Sequence, residues 1–416
     1  MPRERAPASG TLNLRDTAMR EALRLAKAGQ ADRTALPLSY LRQQAHLTAP
    51  AANRELAVKA LSSPLSVASR LLDRFDIDAV AIGDRLSVDP ALVTDVLAGD
   101  GAPVVVLDLE DGIAPQLASQ ARANVVAATR EVPRGKTLRF VRPAGLDDSR
   151  CVDDLTTMLI GAAAGLPAAE YPIDGVVFPK VRRPEEVEWL HGLLSTIETQ
   201  VGLEPNRIRV TYQVETAWGL LNLAEIALAA KERLSGLILG TVDLSAELML
   251  PSVRYAHPIS EWARRAMITV AGAMGVPAID GMTLGFPVAR PDLSRTENRT
   301  HLLDRMAASF DDTRYSIDVG MAGRWVGHPL QLVAALLAFR STFTPQWAEG
   351  IAHSVETFSQ ALARDAGAVA NYGELMDVGT DRYNRMILRR AAAWGVIDHD
   401  RAIQLGLISA SEGDTA

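Results

Sequence analysis

Short apolar stretches alternate with amphipathic helical stretches along most of the chain, from about residue 78 to residue 340. Several apolar stretches, such as the one within 104–109, are continuous and rich in β-branched residues, which is typical of strands buried on both faces of a parallel sheet. The regular succession of strand and helix predicts repeated βα units. We therefore expect a parallel sheet with helices on its outer side.

Eight strands are predicted in this part of the chain. They cover residues 78–83, 103–109, 137–142, 174–180, 208–214, 234–240, 277–283 and 315–321. Eight βα units over roughly 260 residues match the usual size of a closed (β/α)8 TIM barrel. A doubly wound open sheet is the alternative, but no G-x-G-x-x-G motif opens a helix after the first predicted strand.

The flanking regions lack this alternation and favour helices. Residues 1–77 are predicted to form a helical N-terminal extension, residues 78–340 the catalytic barrel, and residues 341–416 a C-terminal helical lid region. The turn-like stretch at 371–381 interrupts the last region. Its glycines flank an apolar pair, which predicts an ordered hairpin or loop between helices.

Composition and charge narrow the possible partners. The chain has 416 residues, of which 48% are hydrophobic, so it can bury a large core. A formal net charge of -7 argues against nucleic acid or an anionic membrane as a partner. No stretch reaches the ~20 apolar residues of a membrane span. The single cysteine, Cys151, excludes an internal disulfide and fits a reducing compartment, so we expect a soluble cytoplasmic protein.

Acidic residues stand at the ends of several predicted strands, where barrels carry their chemistry. Glu215 and Asp243 follow the fifth and sixth strands, whose carboxyl ends lie side by side in a barrel. Two neighbouring carboxylates repel each other unless a cation lies between them. Because carboxylate oxygens are hard ligands, the pair predicts a Mg²⁺ site, with Mn²⁺ as an alternative metal.

A series of sequence blocks carries a family resemblance. The chain resembles the citrate lyase beta-subunit family of the HpcH/HpaI aldolase superfamily, which includes malyl-CoA and citramalyl-CoA lyases. The blocks are LDLEDGIAP, VRPAGLD, DGVVFPKV, QVETAWG, GTVDL, GVPAIDG and GRWVGHPLQ, in that order between residues 107 and 331, with YGELMDVG similar to the family's lid motif. The resemblance does not cover residues 1–75.

The resemblance implies roles for individual residues. Arg142 would bind a substrate oxygen and stabilise an enolate, and Glu110 with Asp111 would support the metal's waters and the arginine. Asp377 in the lid motif would act as general acid or base. Because the family's lid comes from a neighbouring subunit, a homo-oligomer, a trimer or hexamer, is expected.

Two residues depart from the family pattern. Ala144 stands where the family has asparagine after the arginine, and Ile82 stands where the family's first-strand P-G-x-R segment has proline. Arg85 is nevertheless the candidate for that segment's substrate-binding arginine. Arg139 is a second candidate for the role of Arg142. The sequence leaves open whether Asp108, which shares a strand face with Glu110, points into the barrel or toward the helices.

Lys180 and His328 admit more than one interpretation. Lys180 follows the fourth strand, where an aldolase that forms a Schiff base would place its nucleophile. It could equally contact substrate or a coenzyme A phosphate, or be structural, and we take it as a substrate-binding candidate. For His328 we expect a hydrogen-bonding role in a loop.

The resulting hypothesis is a Mg²⁺-dependent carbon–carbon lyase that acts on a 3-hydroxyacyl-CoA thioester of the malyl-CoA or citramalyl-CoA type. Metal and arginine would share the negative charge that develops when the bond breaks. The alternatives are an aldolase for free 2-keto acids on the same barrel and a non-catalytic binding paralogue. A small-molecule acyl-CoA or keto acid is the expected ligand.

Overall fold

Eight parallel strands close into a barrel in chain order in the computed structural model. The structure describes residues 9–31, 36–99, 101–364, 367–371 and 374–414. The strands are β1 Ala45–Pro50, β2 Val104–Asp108, β3 Leu138–Arg142, β4 Gly175–Phe178, β5 Arg209–Val214, β6 Leu234–Leu239, β7 Ala278–Asp280 and β8 Gly323–Val326. The predicted TIM-barrel fold is confirmed, and so are the six predicted strands that correspond to β2–β7.

Helices surround the barrel and form both flanking regions. They are α1 Ser9–Ala31, α2 Arg54–Ser62, α3 Pro64–Asp73, α4 Ala79–Leu86, α5 Pro90–Leu97, α6 Ala118–Glu131, α7 Cys151–Ala163, α8 Pro184–Val201, α9 Ala217–Leu221, α10 Leu223–Ala229, α11 Thr241–Glu247, α12 Pro258–Met274, α13 Arg295–Asp318, α14 Pro329–Thr342, α15 Pro345–Leu362, α16 Val378–Ala393, α17 His399–Gln404 and α18 Ala410–Asp414. Within the described residues, no helix has the length and apolar character needed to cross a bilayer.

The first predicted strand is wrong, because residues 78–83 belong to helix α4. Asp78 caps this helix by accepting a hydrogen bond from the Ala81 amide at 2.8 Å. Ile82 and Leu86 are buried one turn apart, whereas Val80 is exposed, which is a helical pattern. The barrel instead begins with β1, inside the stretch predicted to be a helical extension. The boundary predicted at residue 78 therefore falls too late, and the rest of the domain division stays a prediction.

The last predicted strand is also wrong. Most of the stretch 315–321 lies in or just after α13, whose start is fixed by a capping box between Ser294 and Glu297. Near its end, the Ser316 hydroxyl donates to Asp280 of β7 at 2.7 Å and so anchors the helix to the barrel. The chain then turns at Gly320, whose φ of +99° suits glycine, and β8 follows.

The register of the barrel decides which side chains face its interior. Asp108 on β2 stands beside Arg142 on β3. Positions two residues earlier on these strands, Val106 and Phe140, lie in an interior cluster that also contains Trp325 of β8. Asp108 and Arg142 therefore point into the barrel at its carboxyl end, which settles the face of Asp108.

The opposite end of the barrel is closed by a buried polar group. The Gln43 amide donates to the carbonyl of Tyr40 at 2.6 Å and to that of Ser235 at 2.8 Å, and its oxygen lies 3.0 Å from His46 Nε2. Burial lowers the pKa of His46 to about 3 because the cationic form would lose its hydration. The floor of the barrel is thus built around a neutral histidine.

The C-terminal region packs on the segment that precedes β1. Helices α15 and α16 form a second core with Leu38, and the Trp394 indole donates to the Leu41 carbonyl at 2.9 Å. Between the two helices, strands β9 Val369–Asn371 and β10 Glu374–Met376 form an antiparallel hairpin. The predicted ordered hairpin is confirmed for these strands, while Tyr372 and Gly373 lie outside the described residues.

His46 should make stability depend on pH. The folded protein keeps this ring neutral, whereas the unfolded chain protonates it near 6.5. The contribution of the neutral His46 ring to the free energy of unfolding is therefore fully present above pH 6.5 and is lost as the pH falls toward about 3. Relative to His46→Gln, the wild type should lose up to about 1.4 kcal/mol of unfolding free energy per pH unit in that window. Urea unfolding at several pH values tests this, and His301→Gln on α13 is the control. Parallel pH curves for wild type and His46→Gln would contradict it.

A pair of glycines offers a test of barrel closure. A Cβ at Gly323 would lie 1.9 Å from the Gln43 carbonyl oxygen, whereas nothing lies within 4 Å of one at Gly350 in α15. Gly323→Ala should lower the free energy of unfolding by about 1–3 kcal/mol through overpacking. Gly350→Ala should raise it by about 0.5–1 kcal/mol because alanine favours helix. If urea unfolding shows the same change in unfolding free energy for both substitutions, the backbone does not pack as tightly at Gly323 as described.

Candidate active site

The centre of the barrel mouth is a buried ion pair between Arg142 and Asp108. Arg142 Nε donates to Asp108 Oδ1 at 2.6 Å, and Nη2 donates to Oδ2 at 2.8 Å. Burial alone would lower the pKa of Arg142, but the charge and hydrogen bonds of Asp108 outweigh it and raise that pKa. The guanidinium is therefore a permanent cation in a fixed orientation.

Three further groups surround the Arg142 guanidinium. Its Nη1 donates to Gln213 Oε1 at 3.2 Å and lies 3.2 Å from Glu110 Oε2. The Trp325 ring centre is 5.1 Å from its Cζ, and the Trp325 indole donates to Thr48 at 2.6 Å. Among the described contacts, one N–H of Nη2 remains available to a ligand oxygen.

Lys180 joins several carboxylates at this mouth. Its ammonium lies 2.5 Å from Glu110 Oε1 and donates to Asp111 Oδ1 at 3.0 Å. Its backbone amide donates to Glu215 Oε1 at 2.8 Å, and its φ of +56° is a left-handed conformation uncommon for lysine. Burial would lower the pKa of Lys180, but Glu110 and Asp111 raise it. A protonated amine cannot attack a carbonyl, so the geometry does not favour a Schiff base.

Glu215 follows β5 and is buried. Its second oxygen accepts a short hydrogen bond from Gln213 Nε2, so Gln213 bridges Arg142 and Glu215. Burial, followed by the negative charges of Asp243 and Glu110, raises the pKa of Glu215 to about 8. The site therefore disfavours the anionic form of Glu215 unless further positive charge is supplied.

Asp243 lies in the first turn of α11 rather than at the end of β6 as predicted. The chain turns from strand to helix at Gly240, where a Cβ would lie 2.5 Å from both Cβ and Oε2 of Glu215. Glycine at this position lets the Asp243 turn approach Glu215. The negative charge of Asp243 is near enough to contribute to the raised pKa of Glu215, so the two carboxylates belong to one site.

The chemistry of this donor set fits a hard divalent cation. Glu215 and Asp243 supply only oxygen ligands, and a cation would relieve the repulsion that raises the Glu215 pKa. No cluster of three or more histidine, cysteine, aspartate or glutamate side chains in the described residues forms a complete metal cage. A metal here would take its remaining ligands from water and substrate.

A cavity of about 470 Å³ opens beside these groups. Arg142, Asp111 and Asp243 line it, together with residues of the loops after β6 and β7. Thr241 also lines it, and its hydroxyl is buried without a hydrogen-bond partner among the described residues. Of the predicted site residues, Arg142, Asp111 and Asp243 line this cavity. Glu110 and Lys180 pair with Arg142 and Asp111, and Gln213 links Glu215 to Arg142.

Arg85 is not part of this group. It lies on α4 outside the barrel, half exposed, and pairs with Asp304 of α13 at 3.0 Å. Its predicted role depended on a first strand at 78–83, which is wrong. The carboxyl end of the true first strand is Pro50, and Arg54 four residues later pairs with Glu131 at 2.6 Å.

Asp377 caps α16 and is exposed. Its carboxylate accepts from the Thr380 amide at 2.9 Å, and the hydrogen bonds from Thr380 lower its pKa. Its described contacts stay within its own turn, so this chain does not bring Asp377 to the cavity. The predicted acid–base role therefore stays a prediction.

Arg139 and His328 have contacts that account for them. Arg139 donates to the carbonyls of Thr129, Val132 and Pro133 at the end of α6, so it stabilises that end of the helix. The His328 ring accepts from the Leu330 amide at 3.2 Å and caps α14, which confirms the expected hydrogen-bonding role in the loop.

Several site residues escaped prediction. The sequence left the face of Asp108 open, and Gln213 carries no charge that would mark it. Trp325 lies in β8, whereas the last strand was predicted at residues 315–321. The alternation Gln213-x-Glu215 at the end of β5 is the one signal that could have found Gln213, because residues two apart share a strand face.

The fold and this site define a class: (β/α)8 barrels with a buried arginine and neighbouring carboxylates at the carboxyl-terminal mouth, the end at which barrel enzymes carry their active sites. Residues 86–292 match the model of the HpcH/HpaI aldolase/citrate lyase family. This match, over just under half of the chain, confirms the predicted resemblance to that family and supports the prediction of a carbon–carbon lyase.

Relatives and a solved structure agree with this assignment. The L-malyl-CoA/beta-methylmalyl-CoA lyase of Rhodobacter capsulatus is 28% identical over 314 residues, which are 71% of this chain and 89% of that protein. The mitochondrial citramalyl-CoA lyase of Homo sapiens is 26% identical over 285 residues, 66% of this chain and 74% of that protein. A citrate lyase structure from Burkholderia xenovorans LB400 has a TM-score of 0.59 at 19% identity and covers 87% of this chain and 96% of that one, which supports the fold.

The Asp108–Arg142 pair should be worth far more to stability than an exposed pair. Asp108→Asn leaves the buried guanidinium undercompensated and should lower the free energy of unfolding by about 3–5 kcal/mol. Asp304→Asn breaks the exposed pair with Arg85 and should cost at most about 1 kcal/mol. Urea unfolding of both variants measures the difference. If both variants lose the same small amount of unfolding free energy, the buried Arg142 guanidinium does not need Asp108 to compensate its charge.

Proposed function

We propose that this protein is a carbon–carbon lyase that cleaves a 3-hydroxyacyl thioester of coenzyme A, of the malyl-CoA or citramalyl-CoA type, into a shorter acyl-CoA and a 2-keto acid. The observation that carries the proposal is the buried Arg142 in the same cavity as Asp243, whose negative charge acts on the neighbouring Glu215. A cation fixed beside a hard-metal ligand pair suits a reaction that creates a negative oxygen. The names of the relatives supply the substrate type.

Glu215 and Asp243 would hold a divalent metal, Mg²⁺ or alternatively Mn²⁺. When bound, it would supply positive charge to the carboxylate and hydroxyl oxygens of the substrate. Gln213 and the Lys180 amide each donate to Glu215 and so fix the direction of its oxygens. Such supporting hydrogen bonds orient a carboxylate ligand and keep it in place.

Arg142 would stabilise the charge that develops on the thioester oxygen. In cleavage the hydroxyl gives its proton to a water molecule in the cavity and becomes the carbonyl group of the 2-keto acid, while the bond between the carbinol carbon and the carbon next to the thioester breaks. The electron pair of that bond forms the enolate of the departing acyl-CoA, which then takes a proton on carbon. The remaining Nη2 N–H of Arg142 would donate to the enolate oxygen, since Asp108 occupies the other edge of the guanidinium.

Glu110, Asp111 and Lys180 would hold the edge of the site. Burial raises the pKa of Glu110, and the Arg142 and Lys180 cations oppose that rise. Because Glu110 lies between the Arg142 and Lys180 cations and attracts both, it separates them and holds each in position. Lys180 and Asp111 remain candidates for substrate contact because they stand at the rim.

The proton for the enolate would come from Asp377 of a second copy of this chain. Within one chain Asp377 bonds only to its own turn, so a donor role requires a neighbouring subunit. This is why we propose a homo-oligomer, a trimer or a hexamer. A cytoplasmic location is likewise a proposal, based on the single cysteine and the acidic net charge.

An apolar groove beside the mouth favours a thioester over a free keto acid. Two adjoining cavities of about 720 and 270 Å³ share Leu71 and His328. Gly327 lines the smaller of the two, and Phe286 of the site cavity lies next to it, since its ring end would be 2.9 Å from a Cβ at Gly327. A groove of this size suits the long arm of coenzyme A. A free keto acid has no such arm and would leave the groove empty.

Turnover of malyl-CoA and citramalyl-CoA with millimolar Mg²⁺ tests the proposal. The wild type should release acetyl-CoA, and excess EDTA should abolish the release. Glu215→Gln and Asp243→Asn should each lower kcat/KM by about 10²–10³-fold, as expected when a main source of oxyanion stabilisation is removed. Asp304→Asn, away from the cavity, should leave turnover unchanged.

Other outcomes would overturn the proposal in different ways. Cleavage of free keto-acid adducts but not of thioesters would indicate the aldolase alternative. Turnover that survives EDTA and both substitutions would exclude the metal and restore Lys180 as a nucleophile. Absence of turnover on either kind of substrate, in a protein that still binds these compounds, would indicate the binding paralogue.

A further inference from the structure

The lining of the site cavity is mainly apolar. Its larger apolar side chains come from the end of β6, the start of α11, the segment after β7 and the end of β8. They are Leu239, Val242, Met282, Leu284, Phe286 and Trp325. Arg142 is the one cationic side chain among the described residues that line the cavity.

Most polar groups of the cavity are already paired within the protein. Asp111 accepts from Lys180, and Arg142 has only one free N–H. The Thr283 hydroxyl donates to Asp312 at 2.8 Å and accepts from Arg324 at 2.8 Å. The groups left for a ligand are therefore the Asp243 carboxylate and the Arg142 N–H. Both belong to the charged side of the proposed reaction.

The apolar side of the cavity has a defined shape at Gly327. A Cβ there would lie 2.8 Å from Met282 Sδ and 2.9 Å from the Phe286 ring, so glycine lets these two side chains close on the backbone. Met282 also packs on the interior cluster that contains Trp325. Met282, Phe286 and Trp325 form an apolar corner of the cavity. The Trp325 ring of this corner lies against the Arg142 guanidinium.

Part of this apolar surface faces water. The side chains of Leu284, Phe286 and Val242 are 47%, 46% and 49% exposed. Large apolar side chains that stay half exposed within a concave site gain free energy when a ligand covers them. A ligand whose substituents are all charged or very small would leave that gain unused.

We infer that the preferred substrate carries an apolar substituent larger than methyl on its carbinol carbon, so that cleavage yields a 2-keto acid with an alkyl or aryl side chain. The inference rests on the proposed function and deepens it. The carboxylate and hydroxyl of the substrate go to the Glu215–Asp243 side, and the thioester oxygen goes to Arg142. The remaining substituent meets the corner of Met282, Phe286 and Trp325, which holds no charge to receive a second carboxylate.

The test is a series of 3-hydroxyacyl-CoA thioesters that differ only in the carbinol substituent: hydrogen, methyl, propyl, isobutyl and benzyl. From hydrogen to the best alkyl or aryl member, kcat/KM should rise at least about 10-fold, since one methylene in an apolar pocket is worth about 10-fold or more. Leu284→Ser and Phe286→Ser should remove most of that rise, so that kcat/KM no longer increases with the size of the substituent. Leu284 is half exposed, so its substitution should not disturb folding, and urea unfolding of each variant checks this.

Leu228→Ser is the matched control, because Leu228 is similarly exposed, at 48%, but lies on α10 outside the cavity. It should leave the whole series unchanged. If Leu284→Ser and Phe286→Ser raise KM equally for all five thioesters, the apolar wall contacts the coenzyme A arm and the inference is wrong. It is also wrong if kcat/KM falls as the substituent grows. If no member turns over, the proposed function itself fails, and the inference falls with it.

Discussion

The buried pair of Arg142 and Asp108 is the interaction on which the mouth of this barrel depends. Two charges removed from water cost several kcal/mol each unless they are paired and hydrogen-bonded. Adjacent parallel strands place them side by side, with both oxygens of the carboxylate bonded to one edge of the guanidinium. The other edge is thereby directed at Gln213 and Glu110. The position of each of these groups follows from the orientation of one side chain.

The surrounding carboxylates are held in different ways, and this gives them different properties. Lys180 neutralises Glu110 and Asp111 with its side chain and binds Glu215 with its backbone. Its left-handed conformation costs about 1–3 kcal/mol of local strain, which those contacts offset. Glu215 remains the carboxylate for which the protein alone supplies too little positive charge, and it is the one that faces Asp243. Protein charges thus satisfy one side of the mouth and leave the other side for a ligand.

Much of the barrel could be predicted from the sequence because β2–β7 are apolar runs longer than a turn and shorter than a helix. β1 could not, because its interior-facing His46 and Thr48 are polar and its outward residues include small alanines. The end of α13 resembles a strand because Tyr315, Ile317 and Val319 alternate with polar residues, and the sequence does not reveal the contact of Ser316 with Asp280, which is distant in the chain. Glu215 was predicted because charged residues at strand ends are conspicuous, whereas Arg142 and Glu110 were predicted from the family resemblance. Asp108 could be assigned to the site only once the strand register was known. Gln213 could be assigned only from its contacts with two charged neighbours.

The seam of the barrel joins residues that are far apart in the chain. Ala45 of β1 pairs with Arg324 of β8 across 279 positions (324 minus 45). The bond from Trp325 to Thr48 crosses the same seam, so one wall of the cavity exists only when the ring is complete. Contacts of such long sequence separation form late, because the loop entropy must be lost before they contribute. During synthesis the carboxylates near β5 and in α11 can therefore be made well before the cavity wall at Trp325 is completed.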